Sequence, residues 1–271
     1  MAVITLLNQK GGVGKTSTCH HLAGTLAQLG RCVLLVDNDP QASLTQGFWG
    51  PLATSALEPE ATIAALYRGH EPLPEQVIRP TPIAGIDLLA GSQHATSRNV
   101  PDPHTAPWVA QTCLRALLGE VRDRYDLVLI DCPPNLHLCS WAALVASNFL
   151  IVPLQAEDYG SQGLGPVQDS ITAVRVAANP ELRLLGYLLT MFNARATIHQ
   201  IFEATLRQQY GTDVFETKVP HALDFKEAIA QRKPIAHYKP RGASAKAMKE
   251  LAEEVFRRLG ERAVATERGA A

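Results

Sequence analysis

Apolar positions along the chain fall into short continuous runs separated by helical periods. Residues 3–7, VITLL, are a β-branched and leucine run that ends in a glycine-rich turn. Residues 15–29 follow, with Leu22, Leu26 and Leu29 on or near one face, and Gly30 stands where a helix C-cap is expected. A second run, CVLLV, fills 32–36. Strand, helix and strand at this spacing predict a βαβ unit. Further runs at 127–130 (LVLI), 149–154 (FLIVPL) and 184–190 (LLGYLLT) are apolar throughout rather than alternating. Such strands belong in a parallel sheet covered by helices on both faces. Helical periods near 108–124, 166–178, 197–209, 222–230 and 243–260 supply those layers, and Gly163, Gly165 and Pro166 make 160–166 a loop or an irregular helix start. The predicted fold class is α/β with a mostly parallel central sheet.

Residues 51–107 break this rhythm. Nine prolines from Pro51 to Pro107 punctuate them, leaving room for a short helix near 61–68 and a strand near 85–89, with the rest as loop packed on the main sheet. The tail 264–271 is small and polar and is expected to fray. At 271 residues, with 46% hydrophobic and 19% charged positions, the chain is long enough to bury a sizeable core. Its formal net charge of -1 excludes a uniformly basic nucleic-acid binder, but the charge is uneven. From residue 195 onward there are 14 Lys/Arg against 10 Asp/Glu, whereas the preceding residues carry 11 against 16. The five cysteines, Cys19, Cys32, Cys113, Cys132 and Cys139, are odd in number and contain no CxxC, which argues against a disulfide framework and a four-thiolate metal site. No basic segment precedes the first apolar run, and that run is too short to span a membrane. A soluble cytoplasmic chain without a cleaved signal is expected.

The sharpest chemical signal is Lys10-Gly11-Gly12-Val13-Gly14-Lys15-Thr16, directly after the first strand and opening a helix. Glycines let a backbone turn tightly enough to aim N–H groups at phosphate oxygens, and the helix N-terminus adds its positive end. The cofactor-binding set is therefore Gly11, Gly12, Val13, Gly14, Lys15, Thr16 and Ser17. Lys15 is placed for the β- and γ-phosphates and the Thr16 hydroxyl for Mg²⁺. The usual first glycine of such loops is replaced by Gln9, and a second lysine, Lys10, precedes Gly11. Lys10 is either solvated or reaches a phosphate, in its own subunit or across a dimer. Two strands end in carboxylates, at Asp37-Asn38-Asp39 and at Asp131. C-terminal strand ends are where α/β sheets bind ligands. Asp131 reads as the carboxylate that holds Mg²⁺ through water, Asp39 as a group that orients or deprotonates the attacking water, and Asp37 as support for Thr16 and the metal. The metal set is Thr16, Asp37 and Asp131; the catalytic set is Lys10, Lys15 and Asp39.

Together NQKGGVGKTSTCHHLAGTLA at 8–27, VLLVDNDPQASLTQGF at 33–48, YDLVLIDCPPN at 125–135, VPLQAEDYGSQGL at 152–164 and LLTMFNAR at 188–195 through KVP at 218–220 resemble the deviant Walker-motif P-loop ATPases of the ParA/MinD group, most of all its ParA (Soj-like) partition ATPases. The resemblance covers nearly everything outside 51–107 and implies a single ATPase domain over 1–271. It implies ATP and Mg²⁺ as cofactors, slow hydrolysis, and a nucleotide-sandwich homodimer in which Lys10 crosses to the partner's phosphates. It also implies that Asn193 and Pro220 lie at the adenine base, and His221 departs from the arginine many relatives carry there.

The same resemblance implies nonspecific DNA as a track, a nucleoid-associated location, a ParB-like or other cargo-linked activator, and a role in partitioning or positioning DNA or another cargo. Phosphate-directed binding would use the basic positions after 195: Arg195, Arg207, Lys226, Arg232, Lys233, Lys239, Arg241, Lys246 and Lys249. Arg257 and Arg258 are expected on an exposed helix face. One alternative is a MinD-like membrane ATPase. Ala247, Leu251, Val255 and Leu259 fit a packed terminal helix better, and RAVATERGAA lacks a bulky apolar face. A P-loop biosynthetic ligase is another alternative. A cluster-bearing reductase would need more than Cys132 and Cys139.

Overall fold

The computed structural model describes residues 1–156 and 165–269. Positions 157–164, which include most of the expected loop over 160–166, lie outside the described residues. Seven strands form one sheet: β1 (Ala2–Leu6), β2 (Val33–Asp37), β3 (Ile78–Pro80), β4 (Ile86–Leu89), β5 (Leu127–Asp131), β6 (Phe149–Gln155) and β7 (Arg183–Thr190). Their spatial order is β3-β4-β2-β5-β1-β6-β7. Every neighbouring pair is parallel except β3 with β4.

The unbroken apolar runs are explained by two cores, one on each face. In β5, Val128 and Ile130 enter one core while Leu127 and Leu129 enter the other. In β2, Leu34 and Val36 oppose Val33 and Leu35 in the same way. Alternation therefore persists in direction while vanishing in hydrophobicity, because both directions are dry. Each such fully buried aliphatic side chain contributes about 1.5–3 kcal/mol.

One face carries the helix Lys15–Gln28 and the terminal helix Ala243–Gly269, which pack on each other; buried Leu22 and Leu26 share a core with Met248, Leu251 and Val255. The contact is close. A Cβ on Gly24 would sit 2.0 Å from Pro234 Cβ, so the helix lies directly against the segment leading into Ile235–Tyr238. The other face is covered by Ile63–Tyr67, Trp108–Glu120, Leu138–Ala146 and Gly165–Ala177.

Four features differ from the sequence-based expectation. Leu138–Ala146 is a helix that no amphipathic period announces, because eight of its nine residues are buried and it has no polar side. In the Pro-rich segment the expected strand near 85–89 is β4, but a further strand that was not expected, β3, pairs with it at the sheet edge. Pro80 is tolerated because β3 is an edge strand, where a missing N–H costs no ladder bond. The terminal helix extends to Gly269, past the 243–260 expected from its period. Arg258 is not on an exposed face. It is 7% exposed, and its guanidinium donates to the carbonyls of Leu185 (3.1 Å), Thr212 (3.0 Å) and Val214 (2.9 Å) and to Glu254. Glu254 also accepts the N–H groups of Glu216 and Thr217. The pair thus satisfies backbone groups of Leu185 near the start of β7 and of the segment 212–217. Arg257 does remain half-exposed beside Glu216.

Candidate functional site

The glycine turn leaves β1 and enters the helix Lys15–Gln28 at the centre of the sheet. Gly12 and Gly14 have φ of 77° and 82°, a left-handed backbone that glycine adopts without strain. Among the described residues this helix has no side-chain cap at its N-terminus, so its first-turn N–H groups stay directed at the loop, as an anion site requires. The loop is braced from both sides. Asn8 donates to Pro153 O (2.7 Å) and accepts from Lys10 N (2.9 Å). Thr190 Oγ1 donates to Val13 O (2.8 Å), and Gln155 Nε2 to Gly12 O (3.1 Å).

Lys15 is 6% exposed and donates from Nζ to the carbonyls of Asn8 (3.0 Å) and Lys10 (3.1 Å). Burial pulls its pKa down, and the nearby Asp131 opposes that shift. Lys10 is exposed at the rim of the same loop. One loop therefore presents one cation inside and one outside.

Asp37 and Asp131 face each other across the register of β2 and β5, and both are fully buried. Burial pushes the Asp37 carboxyl up to about 7 and raises that of Asp131 well above the usual range, with Asp37 adding to the latter. Asp37 Oδ2 accepts from Thr45 N (2.7 Å) and Thr45 Oγ1 (2.6 Å), while Oδ1 finds no donor. Neither Asp131 oxygen has a partner within hydrogen-bond geometry, although Thr16 lies close enough to favour its charged form. Three dry, unpartnered carboxylate oxygens beside a hydroxyl and a lysine are costly as they stand. They fit a hydrated divalent cation at Thr16 and Asp131, with Asp37 beside it. Among the described residues no cluster of three or more His, Cys, Asp and Glu makes a self-sufficient metal cage. Asp39 is half-buried beyond β2, and burial raises its carboxyl too.

The Pro-rich segment reaches this site. Tyr67 OH donates to Asn38 Oδ1 (2.8 Å), and Asn38 Nδ2 donates to Cys139 O (2.7 Å). Gly91 N donates to Thr45 Oγ1 (2.8 Å), and Asn99 Oδ1 accepts from Cys139 N (2.9 Å). The stretches after β2 and after β5 are thus tied together through 63–99. A buried polar tyrosine in an otherwise apolar short helix was the only sequence signal of that role.

Asn193 and Pro220 come together on the loop side of the sheet, beyond β7. Phe192 pairs with Pro220 in an isolated parallel bridge. Asn193 and Pro220 line a cavity of about 490 Å³ with Phe192, Arg195, Lys218 and His221. A narrower cavity of about 190 Å³ adjoins it through Asn193 and His221 and reaches Gln155 and Met191. Gln155 touches the phosphate loop, so the cavities and the loop are neighbours. Asn8, Thr45, Tyr67, Gln155 and His199 belong to this neighbourhood and were not singled out from the sequence.

The basic positions after residue 195 divide. Lys239 donates to Asp224 (2.6 Å) and Glu227 (3.0 Å), and Arg207 to Glu203 and to Phe215 O. Lys246 and Lys249 lie 3.9 Å from Glu250 and Glu253. Among the described residues Arg195, Lys226, Arg232, Lys233 and Arg241 form no ion pair.

A strand, a left-handed glycine turn, a buried lysine and a hydroxyl at a helix N-terminus, with a buried carboxylate on the adjacent strand, define a P-loop NTPase. The AAA domain family model matches residues 1–184. The chain is 40% identical over 258 residues to the chromosome-partitioning ATPase Soj of Thermus thermophilus, covering 95% of this chain and 96% of that one. It is 32% identical over 255 residues to the sporulation initiation inhibitor protein Soj of Bacillus subtilis, covering 93% and 97%. Among solved structures, cobyrinic acid a,c-diamide synthase from Mycobacterium smegmatis with bound ATP analog and magnesium superposes with a TM-score of 0.80 at 26% identity over 96% of both chains. The chain belongs to the ParA/MinD deviant Walker A family of ATPases.

Proposed function

We propose that this protein is an ATP-driven partition switch, one ATPase domain over 1–271, that dimerises on Mg²⁺-ATP, binds DNA nonspecifically in that state and is reset by slow hydrolysis. The observation that carries the reading is the pair of lysines in one loop. Buried Lys15 is placed for the phosphates of its own subunit, and Lys10, exposed at the rim of the same loop, is the lysine we assign to the second nucleotide of the dimer. Catalysis here is positioning and electrostatics. Lys15, the loop N–H groups and Lys10 offset charge on the transferred phosphoryl, and Asp39 orients the attacking water. When bound, Mg²⁺ at Thr16 and Asp131 neutralises phosphate oxygens. Asn193 and Pro220 hold the base.

The name of the Thermus thermophilus relative, a chromosome-partitioning ATPase, supports partitioning as the task; a ParB-like or other cargo-linked activator is the partner this reading calls for. The apolar stripe of the terminal helix is spent against the helix Lys15–Gln28, which leaves little for a MinD-like membrane anchor. No helix among the described residues is long and apolar enough to cross a membrane.

Sedimentation with a hydrolysis-resistant ATP analogue, joined to fluorescence anisotropy on two unrelated duplexes, tests the reading. The wild type dimerises and then binds both duplexes alike, with salt sensitivity. Lys10→Ala binds nucleotide but stays monomeric. Lys233→Glu with Arg241→Glu dimerises but binds DNA weakly. An unchanged dimer in Lys10→Ala, or DNA binding indifferent to nucleotide, overturns it. The likeness to the diamide synthase favours a second reading, a biosynthetic ligase. ATP turnover that requires a small carboxylate substrate would select it.

A further inference from the structure

The narrow cavity contains a histidine that the ATPase reading leaves without a task. His199 is the third residue of the helix Thr197–Tyr210 and is buried. Asn193 N–H donates to its Nδ1 at 3.0 Å. A ring nitrogen that accepts a hydrogen bond carries no proton, so the neutral imidazole holds its proton on Nε2. Nε2 makes no hydrogen bond among the described residues, and His199 lines the cavity of about 190 Å³ with Gln155, Met191, Asn193 and His221.

Asn193 is pinned a second time, because its Oδ1 accepts from Arg195 N at 3.0 Å. The carboxamide is therefore fixed in orientation, with its Nδ2 hydrogens and one lone pair of Oδ1 left for a ligand. Two residues earlier Met191 has φ of 50°, a left-handed backbone uncommon for methionine, and Gln155 Nε2 contacts its sulfur at 2.8 Å. The 191–193 turn is thus held in one conformation by contacts from three sides, and His199 provides the contact at Asn193.

We propose that His199 is the nucleoside-positioning residue of this ATPase: its Nδ1 fixes the backbone of Asn193, and its Nε2–H donates to an acceptor on the nucleoside. The phosphates sit at the loop that Gln155 braces, so a nucleoside attached to them passes the cavity that Gln155 and His199 share. This rests on the reading of Asn193 and Pro220 as the base side of the site.

The test compares His199→Leu, His199→Asn and His199→Gln with Asn193→Ala. Affinities for a hydrolysis-resistant ATP analogue and for inorganic tripolyphosphate, which lacks the nucleoside, are measured by calorimetry. Loss of two hydrogen bonds in His199→Leu weakens the ATP analogue about tenfold and leaves tripolyphosphate within about twofold. His199→Asn, whose oxygen can stand where Nδ1 stands, regains part of the loss. His199→Gln keeps a donor near Nε2 but not the acceptor, and it also falls between. The two polar variants keep the test open if His199→Leu does not fold. Wild-type ATP affinity in all three His199 variants, with Asn193→Ala weakened, overturns the role of His199 while the base-side reading stands. Wild-type affinity in Asn193→Ala as well overturns that reading and the proposal with it. An equal loss for tripolyphosphate makes His199 merely structural and also overturns the proposal.

Discussion

At the phosphate end of the site, the working groups are nearly consecutive: Lys10 through Thr16, joined by Asp131 from the neighbouring strand β5. At the other end, the cavity beyond β7 is walled by Gln155 from β6, Met191 and Asn193 from one turn, His199 from a helix, and Pro220 and His221 from a later segment. The first end is dry and electrostatic, with Lys15, Asp37 and Asp131 all buried. The second is held by neutral hydrogen bonds at Asn193 and His199, with Arg195 and Lys218 lining its wider part. Contiguous construction makes the phosphate chemistry rigid and hard to vary. If the cavity holds the nucleoside, as proposed, assembly from four segments lets its recognition be tuned without disturbing the phosphate end.

This contrast can be broken or sharpened by substitution. The largest effect is expected for Lys15→Ala. It removes a buried cation and its charge-assisted bonds, so affinity for ATP and for tripolyphosphate falls alike, by more than about a hundredfold, and turnover is lost. Calorimetry with both ligands checks this, and wild-type affinity would move the phosphate site elsewhere. A smaller effect, confined to chemistry, is expected for Asp39→Ala. Nucleotide affinity is kept while turnover drops by about 10²–10⁴. Phosphate release measured beside analogue binding separates the two, and full turnover would relocate the water-orienting role.

The smallest effect is a slope. The buried Asp37 carboxyl holds its proton up to about pH 7 in the folded chain, against an ordinary value of 3.8. The unfolded chain gives that proton up earlier. Between these two values the nucleotide-free protein therefore loses stability as pH rises, by at most about 1.4 kcal/mol per pH unit from this group. Asp37→Asn removes the contribution and flattens the profile relative to wild type in denaturant titrations across that range. An unaltered slope would assign the proton to Asp131.

Much of the fold was legible in the chain. Continuous apolar runs gave five of the seven strands, because a strand dry on both faces must be apolar at every position, and the reading near 85–89 gave a sixth, β4. The helix Leu138–Ala146 escaped for the same reason in reverse: buried all round, it shows no period to read. Within the Pro-rich segment β3 escaped, because an edge strand of three residues carries almost no pattern. Arg258 was read as exposed because arginine usually is, whereas here backbone carbonyls of Leu185 near the start of β7 and of Thr212 and Val214 supply its partners.

By itself the sequence determined the phosphate end. Glycine spacing, a lysine and a hydroxyl within seven residues fix their own geometry, since the chain between them is too short to place them otherwise. Only the tertiary structure decided that Asp37 and Asp131 share a register, and that Thr45 takes one oxygen of Asp37 while leaving the other bare. Tertiary structure also decided that Tyr67 reaches Asn38, and that His199 turns its Nδ1 to Asn193. Those pairings depend on strand register and helix packing, which are set by many weak contacts between distant segments and by no local window of residues.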